Sequence, residues 1–151
     1  WDITCHDYRG KNVGSNIEKS AEFVQRLNDK ITKNVEDITD VRTFYADEDM
    51  DVGVICFGSV ARSAGSAVEM ARAQGLKVGW MKMNTIWPVP ERQLMEFCAK
   101  CKKVLVPEMN IGKYVREIQR VGGYDKVVGQ SILGGAMFTP EQILEKIKEV
   151  L

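Results

Sequence analysis

The chain has 151 residues, enough for one compact domain with its own hydrophobic core. Its 21 basic and 21 acidic side chains cancel at neutral pH, so charge gives no reason to expect nucleic acid or an anionic membrane as a partner. Four cysteines are too few for a secreted disulfide scaffold, and no apolar run reaches the roughly 20 residues of a membrane helix. We therefore expect a cytoplasmic protein. Because residue 1 is Trp rather than Met, we also expect a segment of a longer chain.

The first part of the chain is predicted to lead into a helix. Residues 1–14 are polar, contain two glycines and show no periodicity, which predicts a linker from a preceding domain. We assign residues 15–151 to a single α/β domain. Ser15 and Glu18 form a capping-box pattern that begins a helix with an apolar stripe. Residues 41–45 then predict a short strand.

From residue 51 onward, strands and helices alternate. The predicted strands cover residues 52–57, 76–83, 103–106 and 126–130. The predicted helices begin near Gly58, Pro90, Gly112 and Thr139, the last with Gln142 in a second capping box. This alternation is typical of a mostly parallel sheet with helices on both faces.

Ligands and partners of an open parallel sheet gather outside the carboxyl ends of its strands, so four loops are of interest. The loop after the first core strand contains Gly58, Ser59, Arg62 and Ser63, which together offer hydroxyls, a guanidinium and a helix start to an anion. This loop lacks both the lysine of a Walker A loop and the glycine spacing of a dinucleotide site. We favour the alternative of a tight turn that brings the helix close to the sheet.

The later loops offer candidates for an interface. Trp87 lies in a loop stiffened by prolines, where its ring either packs on the core or contacts a partner. Glu108 directly follows an apolar strand, and we favour a structural carboxylate bonded to loop N–H groups over a functional acid because no second carboxylate accompanies it. The interface candidates are Trp87, Pro88, Glu108, Asn110, Gly134 and Gly135.

The cysteines and the histidine give no catalytic or metal site. Cys98 and Cys101 form a C-x-x-C pair, which raises the possibilities of a redox pair and of half a metal site. With Leu94 they share one helix face, so we predict that both thiols face the core. His6 is the only histidine, which excludes any site within the chain that needs two. We expect no catalytic residue and no metal ligand here.

Four segments, taken together and in order, resemble one enzyme family. They are residues 57–64 (FGSVARSA), 85–91 (TIWPVPE), 103–112 (KVLVPEMNIG), and Gly134-Gly135 followed by 139–144 (TPEQIL). In this order they resemble the alpha subunit of archaeal and bacterial 2-oxoacid:ferredoxin oxidoreductases, most of all the 2-oxoglutarate type. Residues 4–10 resemble a diverged form of the segment that leaves the preceding pyrimidine-binding domain, with Cys5 where a Glu is usual.

The resemblance implies a fold and a role. It implies a three-layer α/β/α domain like the carboxy-terminal domain of transketolase, with a five-stranded, mostly parallel sheet in which residues 41–45 form the antiparallel strand. The implied parent complex decarboxylates a 2-oxoacid to an acyl-CoA, using thiamine diphosphate, Mg, iron–sulfur clusters and coenzyme A, and reduces ferredoxin. None of these cofactors is expected on this domain, whose implied partners are the upstream pyrimidine-binding domain, the thiamine-binding beta subunit and the other subunits.

Three alternatives stay open at this point. One is the carboxy-terminal domain of a transketolase or of a 2-oxoacid dehydrogenase beta subunit. Another is a free-standing module that binds a nucleotide or coenzyme A at residues 58–63, and a third is a thiol-redox protein that uses Cys98 and Cys101. Whether any loop contacts coenzyme A is likewise open.

Overall fold

The structure is a computed structural model that describes residues 6–7, 9–14 and 16–151. The chain divides into two compact units, residues 1–38 and residues 39–151. This division falls later than residue 14, where the sequence placed the domain boundary, because the first long helix belongs to the amino-terminal unit. None of the helices in the described part of the chain is long and apolar enough to cross a membrane.

The amino-terminal unit consists of a turn and two helices, α1 (Ile17–Thr32) and α2 (Val35–Ile38). The side chain of Asn16 caps α1 by accepting a 2.9 Å hydrogen bond from the N–H of Lys19. Ser15, the predicted cap, lies outside the described residues. The predicted helix is present, but no described side chain of α1 is buried, and Ile17 of its apolar stripe is 85% exposed.

The larger unit is built on a five-stranded sheet with the order β1-β3-β2-β4-β5. Its strands are β1 (Val41–Phe44), β2 (Met50–Phe57), β3 (Val78–Met83), β4 (Cys101–Glu108) and β5 (Val127–Ser131). Its helices are α3 (Val60–Ala73), α4 (Glu91–Ala99), α5 (Val115–Gly122) and α6 (Pro140–Val150). Strand β1 is antiparallel to β3 and all other pairs are parallel, which confirms the predicted fold class and the antiparallel strand.

Two hydrophobic cores lie on opposite faces of the sheet. Val54 of β2 belongs to the core under α3 and α6, whereas the next residue, Ile55, belongs to the core under α4 and α5. Because both faces of β2 are covered, its sequence is continuously apolar rather than alternating. Ala64, Ala67 and Ala71 of α3 are fully buried, and their small side chains allow this helix to pack closely against the sheet and α6.

Helix α6 begins as predicted. The hydroxyl of Thr139 accepts the N–H of Gln142 at 3.3 Å, and the amide oxygen of Gln142 accepts the N–H of Thr139 at 3.0 Å. These reciprocal bonds satisfy N–H groups that the helix itself leaves unpaired. The capping box is therefore confirmed by its geometry.

Candidate functional site

Glu108 holds the loop between β4 and α5. Its side chain is completely buried, with Oε2 accepting the N–H of Tyr114 at 3.0 Å and Oε1 accepting the N–H of Val115 at 2.9 Å. The negative charge therefore lies at the positive amino-terminal end of α5, where it is favoured. The predicted structural role of Glu108 is confirmed. Its interface candidacy is not supported, because a fully buried carboxylate is not on the surface of this chain.

Tyr114 connects this loop to the loop after β3. Its hydroxyl donates a 2.8 Å hydrogen bond to the carbonyl oxygen of Ile86, and its ring meets that of Phe57 edge-on. Burial, together with nearby Glu117, raises the pKa of Tyr114 to about 12, so the phenol keeps the proton that it donates. The loops after β3 and β4 are therefore fixed to each other by one side chain.

Five exposed apolar side chains lie in the loops at the carboxyl ends of β3, β4 and β5. We call this set the apolar crest; its members are Ile86, Trp87, Ile111, Leu133 and Met137. Their exposed fractions range from 40% at Ile86 to 68% at Trp87 and Ile111. Exposed large apolar side chains that come from neighbouring loops at one end of a sheet are candidates for an interaction surface. Of these five, only Trp87 was predicted from the sequence as an interface residue.

The other interface candidates surround the crest or support it. Pro88 follows Trp87 through a cis peptide bond and is buried within this chain, so it supports the loop, and its role at an interface stays a prediction. Asn110 is half-buried, and its side-chain oxygen accepts the N–H of Lys113 at 2.8 Å, which shapes the loop. Gly134 and Gly135 are exposed and have φ values of +74° and +78°, a conformation that favours glycine.

The predicted anion loop lines an open cleft. The cleft has a volume of about 350 Å³ and is lined by Gly58, Ser59, Ala61, Arg62, Trp80 and Lys82. Ser63 is not among these residues, because its hydroxyl donates a 2.7 Å hydrogen bond to the carbonyl oxygen of Phe138. The structure therefore brings Gly58, Ser59 and Arg62 together as predicted, separates Ser63 from them, and adds two side chains from β3.

The thiols of the C-x-x-C pair are core groups. Cys98 lies near the end of α4, whereas Cys101 is the first residue of β4, so the prediction that one helix carries both is wrong. Both side chains nevertheless lie in the core under α4 and α5, as predicted. Burial raises the pKa of Cys98 to about 11 and that of Cys101 to about 12. A thiol that stays protonated is a poor nucleophile and a poor metal ligand.

These raised pKa values predict slow alkylation. In a Cys5→Ser background at pH 8, we expect Cys98 and Cys101 to react with iodoacetamide at least about 100-fold more slowly than free cysteine, because so little thiolate is present. The rate should rise as the pH approaches 11. Mass spectrometry after timed quenching gives the rate at each residue, and a urea-unfolded sample is the control. Labelling of the folded chain as fast as the unfolded one would instead support the thiol-redox reading.

The described cysteines are not placed to hold an iron–sulfur cluster. Cys56 lies in the core on the opposite face of the sheet from Cys98 and Cys101, so the three thiols do not converge. No group of three potential metal ligands occurs within residues 6–7, 9–14 and 16–151. Glu108, the one fully buried carboxylate among the described residues, already uses both oxygens for backbone N–H groups.

Comparison with known sequences identifies the family. Residues 50–143, which include β2 to β5 and the crest loops, match the pyruvate:ferredoxin oxidoreductase core domain II family. The chain belongs to this family. A core domain II relative, the 2-oxoglutarate synthase subunit KorA of Methanothermobacter marburgensis, is 41% identical over 143 residues. That match covers 94% of this chain but only 38% of the relative. The resemblance to the alpha subunit of a 2-oxoacid:ferredoxin oxidoreductase is therefore confirmed.

Solved structures agree with this assignment of core domain II. A chain of the 2-oxoglutarate:ferredoxin oxidoreductase from Magnetococcus marinus superposes with a TM-score of 0.80 at 31% identity, covering 96% of this chain and 25% of that one. That structure contains 2-oxoglutarate, coenzyme A and succinyl-CoA. A split-gene transketolase superposes with a TM-score of 0.53 at 23% identity, covering 72% of this chain and 39% of that one, which is a likeness of fold alone.

Proposed function

We propose that this chain is a non-catalytic interface domain of the alpha subunit of a thiamine-diphosphate-dependent 2-oxoacid:ferredoxin oxidoreductase in the cytoplasm. The parent enzyme would convert 2-oxoglutarate oxidatively to an acyl-CoA and reduce ferredoxin. Its thiamine diphosphate, Mg, iron–sulfur clusters and coenzyme A would be held by other parts of the complex. The observation that carries the proposal is the apolar crest.

The crest has the properties of a rigid docking surface. Its loops are fixed from below, because Glu108 binds two N–H groups of one loop and Tyr114 binds the carbonyl oxygen of Ile86 in another. A surface that is ordered before binding loses little conformational entropy on association. Trp87 is the one aromatic member of the crest and, with Ile111, its most exposed side chain. Tryptophan is among the residue types that most often dominate the binding energy of an interface.

We assign the thiamine-binding beta subunit as the occupant of the crest. The chain spans 38% of the length of its KorA relative, so much of the parent subunit lies outside it. The apolar stripe of α1 follows the segment that resembles the exit from the pyrimidine-binding domain, and continuity along the chain favours that domain as its neighbour. Since that domain would cover α1 rather than the crest, the crest remains available to a separate subunit.

The test is assembly with the partner subunits. The full-length alpha subunit, carrying Trp87→Ala, is co-expressed with the other subunits and purified through a tag on the beta subunit. Removal of a central aromatic side chain should weaken the alpha–beta association by about tenfold or more. It should lower 2-oxoglutarate-dependent ferredoxin reduction in proportion to the alpha subunit lost.

A matched control is available on α4. Met95 is also an exposed apolar residue, 52% exposed, but it lies on a helix away from the crest, so Met95→Ala should assemble like the native subunit. Equal recovery of the Trp87→Ala and Met95→Ala subunits would contradict the assignment of the crest. Ferredoxin reduction by this chain without other subunits would contradict the non-catalytic role.

A further inference from the structure

Two cationic side chains line the open cleft after β2, and a third lies opposite one of them on the edge strand β1. Arg42 of β1 lies directly opposite Lys82 of β3 in the antiparallel pair, so both side chains project from the same face. Lys82 of β3 and Arg62 of α3 both line the cleft, whereas Arg42 does not. We call the cleft lined by Arg62, Lys82, Ser59 and Trp80, together with the adjacent Arg42, the basic cleft.

Little negative charge balances these cations. Arg42 has one acidic neighbour, Asp40, at 3.9 Å from Nε to Oδ1, and both side chains are more than half exposed. Within the described part of the chain, neither Arg62 nor Lys82 forms an ion pair, and the first turn of α3 has no acidic residue. Like charges directly opposite each other on a sheet are destabilising. The arrangement therefore lowers the stability of the free chain, and a bound anion would relieve the repulsion.

The cleft also contains a hydroxyl that can donate a hydrogen bond and an aromatic side chain. Ser59 at the start of α3 does not use its hydroxyl to cap the helix; the hydroxyl donates a weak hydrogen bond to the sulfur of Met109, 3.5 Å away. Trp80 is held in place by stacking on Phe44, with ring centroids 4.6 Å apart. A planar guanidinium and a compact ammonium that line one small cleft suit the oxygens of a tetrahedral anion.

We propose that the basic cleft binds a phosphoryl group. Its volume of about 350 Å³ lies at the lower end of small-molecule sites, which fits a phosphate or diphosphate group rather than an extended ligand. The group belongs either to a free inorganic anion or to a nucleotide whose base contacts Trp80. The basic cleft shares no residue with the apolar crest, so the two proposals can be tested independently.

Pyrophosphate binding to the full chain tests the proposal at low ionic strength, by calorimetry and by thermal unfolding. Lys82→Gln should weaken binding by about tenfold, since it removes one charged donor from the cleft. Without any anion, however, the same variant should unfold at the native temperature or above it, because the repulsion from Arg42 is gone. A lysine with a merely structural role would show neither the selective loss nor this gain.

The control removes an equal charge elsewhere. Lys77 is an exposed lysine at the opposite, amino-terminal end of β3, so Lys77→Gln should change pyrophosphate binding less than twofold. ADP binding tighter than pyrophosphate, with a change in Trp80 fluorescence read in a Trp1→Phe, Trp87→Phe background, would assign a nucleotide. Equal affinities would assign a free anion. No binding at millimolar pyrophosphate, or equal losses in the two glutamine variants, would overturn the proposal.

Discussion

Glu108→Ala is expected to lower the free energy of unfolding by about 3 kcal/mol, since it removes the acceptor of two backbone N–H groups at once. The N–H groups of Tyr114 and Val115 would lie at the start of α5 without their partners, and the favourable charge at the helix end would be lost. The truncated side chain would also leave a small cavity, because Glu108 has no solvent exposure. Urea denaturation followed by circular dichroism measures the change.

Two further variants separate this cause from a general effect of losing a carboxylate. Glu108→Gln keeps one oxygen acceptor, but its amide NH₂ group replaces the second oxygen and cannot accept the second N–H. Its destabilisation should therefore be about half that of Glu108→Ala. Glu145 is an exposed glutamate on α6, and Glu145→Ala should change stability by less than about 0.5 kcal/mol. If Glu108→Ala proved as mild as Glu145→Ala, the carboxylate would not be what holds the loop.

The features that could be predicted from the sequence are local ones. The capping box at Thr139 depends on residues that are neighbours in the chain, and the continuous apolar run of β2 needs only the knowledge that both faces are covered. The structural role of Glu108 was also predictable, because a single carboxylate directly after a buried strand has free N–H groups of the next loop within reach.

Features that depend on spatial relations between segments were missed. The apolar crest combines side chains from three loops, and nothing in any single loop indicates that Ile111, Leu133 and Met137 lie on one edge with Trp87. The basic cleft depends on the register of β1 and β3, which places Arg42 opposite Lys82. A shift by one residue would have placed these side chains on opposite faces of the sheet.

One local prediction was wrong for an identifiable reason, and another pattern left its meaning open. Helical spacing suggested that Cys98 and Cys101 lie on one helix, but α4 ends at Ala99 and β4 begins two residues later, so an abrupt change of element occurs within the motif. The apolar stripe of α1 was predicted without a partner for it, and no described side chain of this helix is buried. An amphipathic pattern shows that a face seeks an apolar partner, but it does not show whether the same domain supplies one.

Gly79→Ala is expected to be the most destabilising single methyl addition in the sheet, with a loss of about 3–4 kcal/mol. The chain that leaves β1 passes directly over this residue of β3. A Cβ atom at Gly79 would lie within 3 Å of the sulfur of Met50 and of the carbonyl oxygen of Tyr45, and at 3.0 Å from the carbonyl oxygen of Phe44. Met50 has a flexible side chain that can move, but the two carbonyl oxygens belong to the backbone.

The rigidity of that backbone is what makes the loss large. Tyr45 has a positive φ of 55°, which fixes the sharp turn after β1, and its hydroxyl and ring are held by Glu69 and Arg72. Moving its carbonyl oxygen away from a new methyl group would therefore disturb the turn and the pairing of β1 with β3 together. Thermal unfolding should show a decrease of roughly 10 °C, given a few degrees per kcal/mol for a chain of this size.

Two other glycines serve as comparisons for the loss of stability, because an added methyl group would have different surroundings at each. Gly75→Ala adds its methyl group in open space but at a φ of +82°, so only the backbone conformation is penalised, by about 1 kcal/mol. At Gly53 the new atom meets the side chains of Phe97 and Cys101, which can shift, and the loss should be intermediate. If Gly79→Ala were no less stable than Gly75→Ala, the backbone after β1 would be able to move away from the new methyl group at little cost. The edge strand β1, which carries Arg42 opposite Lys82, would then not be rigidly held.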